Sequence, residues 1–239
     1  MAFTFIACVG GNDDASGTTL DCSATLNVAA GDLLIAHCEH DGTTTTFAVA
    51  KDSGSPANAF TFDAVNQIEA SFNDLEIAQG YVLSAAADAT ATFRLTVGAA
   101  RTFRRVLVLQ FRPSAGDTVT KDGDGNKAQG NSTAPNSGNF STTGTDEVVV
   151  GGYGDYSAQN TSSEQINSVA AIEPTGSPQS FTSVWYRILT ATFTGGAASA
   201  TLGGAGDWLC GGIAFKATGG AAAPNVPVPM PPTCFFGTL

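Results

Sequence analysis

Both histidines of this chain sit in one octapeptide, IAHCEHDG (residues 35–42), with a cysteine and two acids among them. These residue types bind transition metals or move protons. Their spacing decides whether they can act together. Along a strand side chains alternate between faces, so Leu33, Ile35, His37 and Glu39 share one face. Leu34, Ala36, Cys38 and His40 share the other. The two imidazoles therefore diverge and cannot chelate one ion from regular strand geometry. His37 and Glu39 reproduce the H-x-E of zinc-activated water chemistry, but the P-C-x-x-C that completes that motif is absent. The octapeptide reads as a core strand that nears the surface at His37 and turns at Asp41–Gly42. No metal or other cofactor is expected.

Asp122, Asp124 and Asn126 alternate as at the opening of a calcium loop. The pattern then fails, because Lys127 stands where the sharp-turn glycine belongs and Thr133 where the closing glutamate belongs. Asp and Gly also make ordinary turns. The G-x-S-x-G of a nucleophile elbow is missing, as are phosphate-cradling motifs. Carboxylates are scattered, and nothing singles out one pair for glycoside hydrolysis. Trp185, Tyr186 and Trp208 could stack on sugars, yet each lies in an apolar strand, where core packing is the simpler role. The chain is not expected to be an enzyme.

The elements carrying these residues are strands. FTFIACV (3–9), ATLNV (24–28), DLLIAHC (32–38), TFAVAKD (46–52), LEIAQGYVLS (75–84) and TATFRLTV (90–97) are short apolar or alternating runs. RRVLVLQFR (104–112) is almost continuously apolar, as befits a strand central to a sheet. DEVVVGGY (146–153), SVAAIE (168–173), SFTSVWYRILT (180–190), SATL (199–202) and DWLCGGIAFK (207–216) follow, with SGSP, GDGN, NSGN and TGSP as turns. The expected fold is all-β, a jelly-roll-like β-sandwich over residues 1–217.

The two sides of a polar stretch, 113–146, resemble each other. GDLLIAHCEHDG has a counterpart in TDEVVVGGYGDY, and the region from Tyr81 to Phe111 has one in Tyr186 to Phe215, after a one-residue slip. The quasi-repeats, about 24–113 and 138–217, read as two Greek-key halves. They form either one larger sandwich, the reading favoured here, or two small ones.

Charged residues are only 13% of the 239, and the net charge is −11. The acidity argues against a nucleic-acid partner, since phosphate binding draws on Lys and Arg. Arg94, Arg101, Arg104, Arg105 and Arg112 nevertheless place half of the ten basic residues in one stretch. They are either solvated strand edges or, at Arg101, Arg104 and Arg105, a cationic contact patch for an acidic neighbour. Five cysteines without C-x-x-C spacing read as buried free thiols, with a Cys8–Cys22 pairing left open. The opening MAFTFIACVGGNDDAS has no basic n-region, and no apolar run reaches 18 residues. Cytosolic synthesis without a signal peptide or membrane span is expected.

Residues 218–239 change character. Five prolines fall within residues 224–232, Pro227 and Pro229 among them, and favour extended polyproline geometry. The apolar tip CFFGTL follows. Phe235, Phe236 and Leu239 need a surface to shelter them, on the chain's own body or on a neighbouring subunit, which is favoured. Burying them would contribute roughly 5–8 kcal/mol before ordering costs.

The segments AAGDLLIAHC (29–38), GYVLSAAADATATFRLTV (80–97), TTGTDEVVVGGY (142–153) and WLCGGIAFKA (208–217) resemble those of bacteriophage structural and decoration-type proteins with a jelly-roll or immunoglobulin-like body. The likeness implies a virion location and a non-enzymatic structural role in capsid or tail. Its implied partners are copies of the same chain or a major capsid or tail protein, by multivalent contacts. A carbohydrate-binding or adhesive module is the alternative, with surface glycans as ligands.

Overall fold

The computed structural model describes residues 3–42, 46–51, 58–69, 75–155, 160–174 and 181–219, with Lys51 and residues 63–69 followed along the backbone only. The described chain is all-β: eighteen strands, numbered here in chain order, and no α-helix. Every strand pair is antiparallel.

Two five-stranded sheets form the centre. In the first, β1 (Phe3–Asp13) pairs with β10 (Arg104–Pro113), then follow β4 (Leu33–Asp41), β7 (Leu75–Val82) and β6 (Thr61–Glu69). In the second, β18 (Gly206–Thr218) lies between β13 (Glu147–Asp155) and the two short strands β11 (Thr118–Lys121) and β12 (Asn126–Ser132). Its far edge is β16 (Thr182–Leu189). Outside the first sheet lie β2 (Gly17–Asp21), β9 (Phe93–Arg101) and β5 (Phe47–Lys51), with the pair β3 (Leu26–Val28) and β8 (Asp88–Ala91). Outside the second lie β15 (Val169–Ala170), β14 (Thr161–Ile166) and β17 (Ala198–Leu202).

The chain alternates between inner and outer layers in both halves, and the last strand of each half, β10 or β18, inserts between the inner strands that open the half, β1 or β11 and β12, and the next inner strand, β4 or β13. That is jelly-roll order. In the second half the outer first strand is reduced to two bridges, Asn136 to Ser199 and Phe140 to Gly196.

The inner sheets face each other across one core. Leu33, Ile35, Leu107, Leu109 and Phe111 pack with Val148, Val150, Val184, Ile213 and Phe215. Their opposite faces are covered too. Leu34, Ala36, Cys38, Val106 and Val108 meet Leu20, Val49, Phe93 and Leu95, while Val149, Trp185 and Ala214 meet Ile166, Ala198 and Leu202. Burial on both faces is why the inner strands are nearly continuously apolar, a pattern more usual in parallel sheets. β13 is buried at every position, whereas the outer β9 alternates buried with exposed. Each fully buried Leu, Ile, Val or Phe stabilises by about 1.5–3 kcal/mol, and the three-tiered core follows from those runs.

Candidate functional site

The residues that suggested chemistry are positioned first by β4. Its register sends His37 toward the central core and His40 toward β5, on opposite faces as the alternation requires. His37 is buried, and its Nε2–H donates to the Tyr153 carbonyl at 3.1 Å. Burial pushes its pKa down to about 4, against the lift from that carbonyl, so the ring is neutral at pH 7. His40 is equally buried, its Nδ1 2.8 Å from the Asp41 carbonyl, its ring 4.6 Å from that of Phe47 and its Nε2 3.4 Å from Glu76. Burial lowers its pKa to about 4 as well, helped by the charge of Arg101. Glu39 faces the second half, where burial pushes its carboxyl well up, Asp155 pushes it further and Arg105 opposes.

Glycines opposite make room for this polar seam. A Cβ on Gly152 would lie 2.4 Å from His37 Nδ1, one on Gly154 2.6 Å from Glu39 Oε1, and one on Gly211 3.1 Å from Gln79 Oε1. On the other face of β13, a Cβ on Gly151 would strike the Trp185 ring at 2.3 Å. The GG pair of β13 thus seats a polar side chain on one face and an indole on the other. His37, Glu39 and Gln79 are 0–1% exposed, so the seam lies inside the molecule.

Arg104 and Arg105, expected at a contact surface, lie inside as well, each 1% exposed. Arg104 pairs with Asp13 and donates to the Ala15 and Arg101 carbonyls. Arg105 donates to Asp14 at 2.6 Å and to the Asp13 and Arg104 carbonyls, with its guanidinium 4.0 Å above the Phe103 ring. Arg94 pairs with Asp21, and Arg112 with Asp32. The basic stretch neutralises acids of its own half. Partly exposed Arg101 lies against Gly42.

The calcium-loop residues do not converge. Asp122 is 2% exposed and accepts hydrogen bonds from Thr143 N and Oγ1 and from Lys216 Nζ, while Asp124 is turned outward. Burial raises the Glu147 carboxyl to about 7, and its hydrogen bond to Asp122 holds the proton there. Trp185 and Trp208 are core residues whose Nε1–H groups donate to Gln165 O and Ser132 Oγ, and Tyr186 packs in the central core. Cys8, Cys22, Cys38 and Cys210 are free thiols. Pro227, Pro229, Phe235, Phe236 and Leu239 fall outside the described residues.

Two surface features remain. The first is a cleft of about 330 Å³ lined by Asp14, Asp41, Thr102, Phe103 and Phe181. Asp41 accepts from Thr102 Oγ1 at 2.6 Å and from Phe103 N at 2.9 Å, and the two phenylalanine rings meet edge to face at 5.0 Å. Phe181 holds φ at 77°, a costly conformation for an aromatic residue and one that concentrates at functional positions.

The second is an apolar groove of about 360 Å³ where the central core reaches the surface between β16 and β1, an edge strand of its sheet among the described residues. Phe3, Phe5, Ile172, Tyr186 and Ile188 line it, and the Phe5 and Tyr186 rings stack at 4.7 Å. Of the exposed large apolar residues of the described chain, Ile172, 56% exposed, lines this groove, and Ile6 and Val169 each adjoin a residue or stretch that lines it. Periodicity could not reveal the groove, because it is made by two strands about 180 residues apart. No family model matches the chain, and no curated protein matches it in sequence.

Proposed function

We propose that this chain is a non-enzymatic structural protein of a phage particle, decorating or cementing the capsid or forming part of the tail through repeated protein contacts. The observation that carries the reading is the groove between β1 and β16, which exposed Ile172 lines, with exposed Ile6 and Val169 in the adjoining stretches of chain. An apolar groove beside a strand that is an edge among the described residues is an adhesive surface, and an edge strand accepts strands from other chains. The jelly-roll order of both halves is an architecture that viral shells use, and it supports the reading by analogy. Mass spectrometry of purified particles produced from a genome encoding this chain is the test. The chain is expected at a fixed ratio to the major shell protein. Complete, infectious particles without it overturn the proposal.

The cleft at Phe103 and Phe181 favours a second reading, an adhesive module that binds glycans. Aromatic faces beside carboxylates suit a sugar, which offers apolar C–H faces and hydroxyl donors. Saturable binding to one glycan on an array, lost in Phe181→Ala, supports this reading. An array without signal removes it.

A further inference from the structure

We propose that the groove between β1 and β16 receives the apolar tip Cys234–Leu239 of a second copy of this chain. The inference rests on the structural-protein reading above and names its partner. The groove, lined by Phe3, Phe5, Ile172, Tyr186 and Ile188, takes an apolar occupant, and β1 beside it is an edge strand among the described residues, so it can accept a further strand. The sequence supplies such an occupant. After Pro232 the tip TCFFGTL contains no proline, so its backbone can pair with a strand edge, and it carries two phenylalanines for the groove.

Length selects a neighbouring copy over the chain itself. β18 ends at Thr218, and β13 and β16 separate it from the groove. Two strand spacings, with an offset of three to five residues along the strands, amount to roughly 14–19 Å. The nine residues from Pro224 to Pro232 would span about 28 Å in the polyproline geometry that their five prolines favour. A rod of that length carries the tip past its own groove unless the five residues before it run backward. Extended away from the body, it offers the tip to an adjacent copy instead. Such head-to-tail exchange propagates a ring or a lattice.

Sedimentation of the full chain tests this with three variants: Phe235→Ser/Phe236→Ser, which spoils the tip, and Ile172→Asp and the milder Ile172→Ser, which spoil the groove. Ile172 is exposed, and an unchanged melting transition certifies each fold. The wild type is expected to associate with rising concentration, and each spoiled chain to associate at least tenfold more weakly. Mixing the tip variant with Ile172→Asp pairs one intact tip with one intact groove and restores a heterodimer. A wild type that stays monomeric, association untouched by the tip variant, or a mixture that restores nothing each overturns the proposal. Particles lacking the chain refute the structural-protein reading and leave tip-dependent association standing. A monomeric chain at fixed ratio in particles does the reverse.

Discussion

His37 Nδ1 occupies a point 2.4 Å from where a Cβ on Gly152 would lie, so the imidazole of one half fills the hollow left by a missing side chain in the other. The same relationship joins Glu39 to Gly154. Overpacking such a site forces backbone or rotamer shifts costing about 1–3 kcal/mol. Gly152→Ala and Gly154→Ala are each expected to lower unfolding free energy by that amount in urea titrations. Gly211→Ala, whose Cβ meets Gln79 at the milder distance of 3.1 Å, should cost less.

The shared central core predicts cooperative unfolding. Neither half can open without exposing Phe111, Ile35, Val150 or Phe215. Calorimetry should therefore show one transition, and Phe111→Ala should move all of it by about 3–5 kcal/mol. Two separated transitions would show that the halves fold independently.

Glu147 sets a pH dependence. Its folded pKa, about 7, lies above the 4.5 of a free glutamate, so the fold favours the protonated form. The resulting stabilisation is complete below pH 4.5 and is lost as pH rises through 7. Glu147→Gln, which keeps a hydrogen-bonding amide beside Asp122, should flatten the fall in stability between pH 5 and 8.

The histidines act with the opposite sign. Both are held neutral with pKa values near 4, against 6.5 for a free ring. Their contribution is full above pH 6.5 and lost as pH falls toward 4, up to about 3 kcal/mol for each ring. Comparing His37→Gln with the wild type from pH 4 to 7 isolates the first ring. A difference in stability that does not vary with pH would contradict its buried neutral state.

Arg105 is a buried cation held by Asp14, two carbonyls and the Phe103 ring. Arg105→Ala leaves those partners unmatched and should cost about 3–5 kcal/mol in thermal or urea unfolding. Asp14→Asn should cost less than 1 kcal/mol, because the Asp14 side chain is 71% exposed and the carbonyls remain.

The strand content was legible because alternation and apolar runs are local properties. The opposed histidines were legible for the same reason, since the face a strand residue occupies depends only on parity. Register between the halves was not. Matching Leu33 to Glu147 aligns the strings, but Ile35 and Val150 are the pair that neighbour Tyr81 and Tyr186, one residue away. In a strand a single-residue shift exchanges the faces. The arginine stretch misled because a cluster of charge looks external until its partners are found. Asp13 and Asp14 lie about ninety positions before Arg104 and Arg105, and β1 brings them alongside. The glycines of β13 carried a signal, since a GG pair inside an apolar strand marks close approach, but nothing local named the imidazole and indole that approach it.

Two lobes of like topology within one polypeptide run a risk of mispairing, first lobe with first lobe, in crowded synthesis. Protruding polar groups on one and hollows on the other remove the degeneracy. Two first lobes would press His37, Glu39 and Gln79 against their own duplicates, while two second lobes would leave voids at Gly152 and Gly154. The asymmetric seam thereby favours pairing of each first lobe with a second lobe over pairing with its own kind.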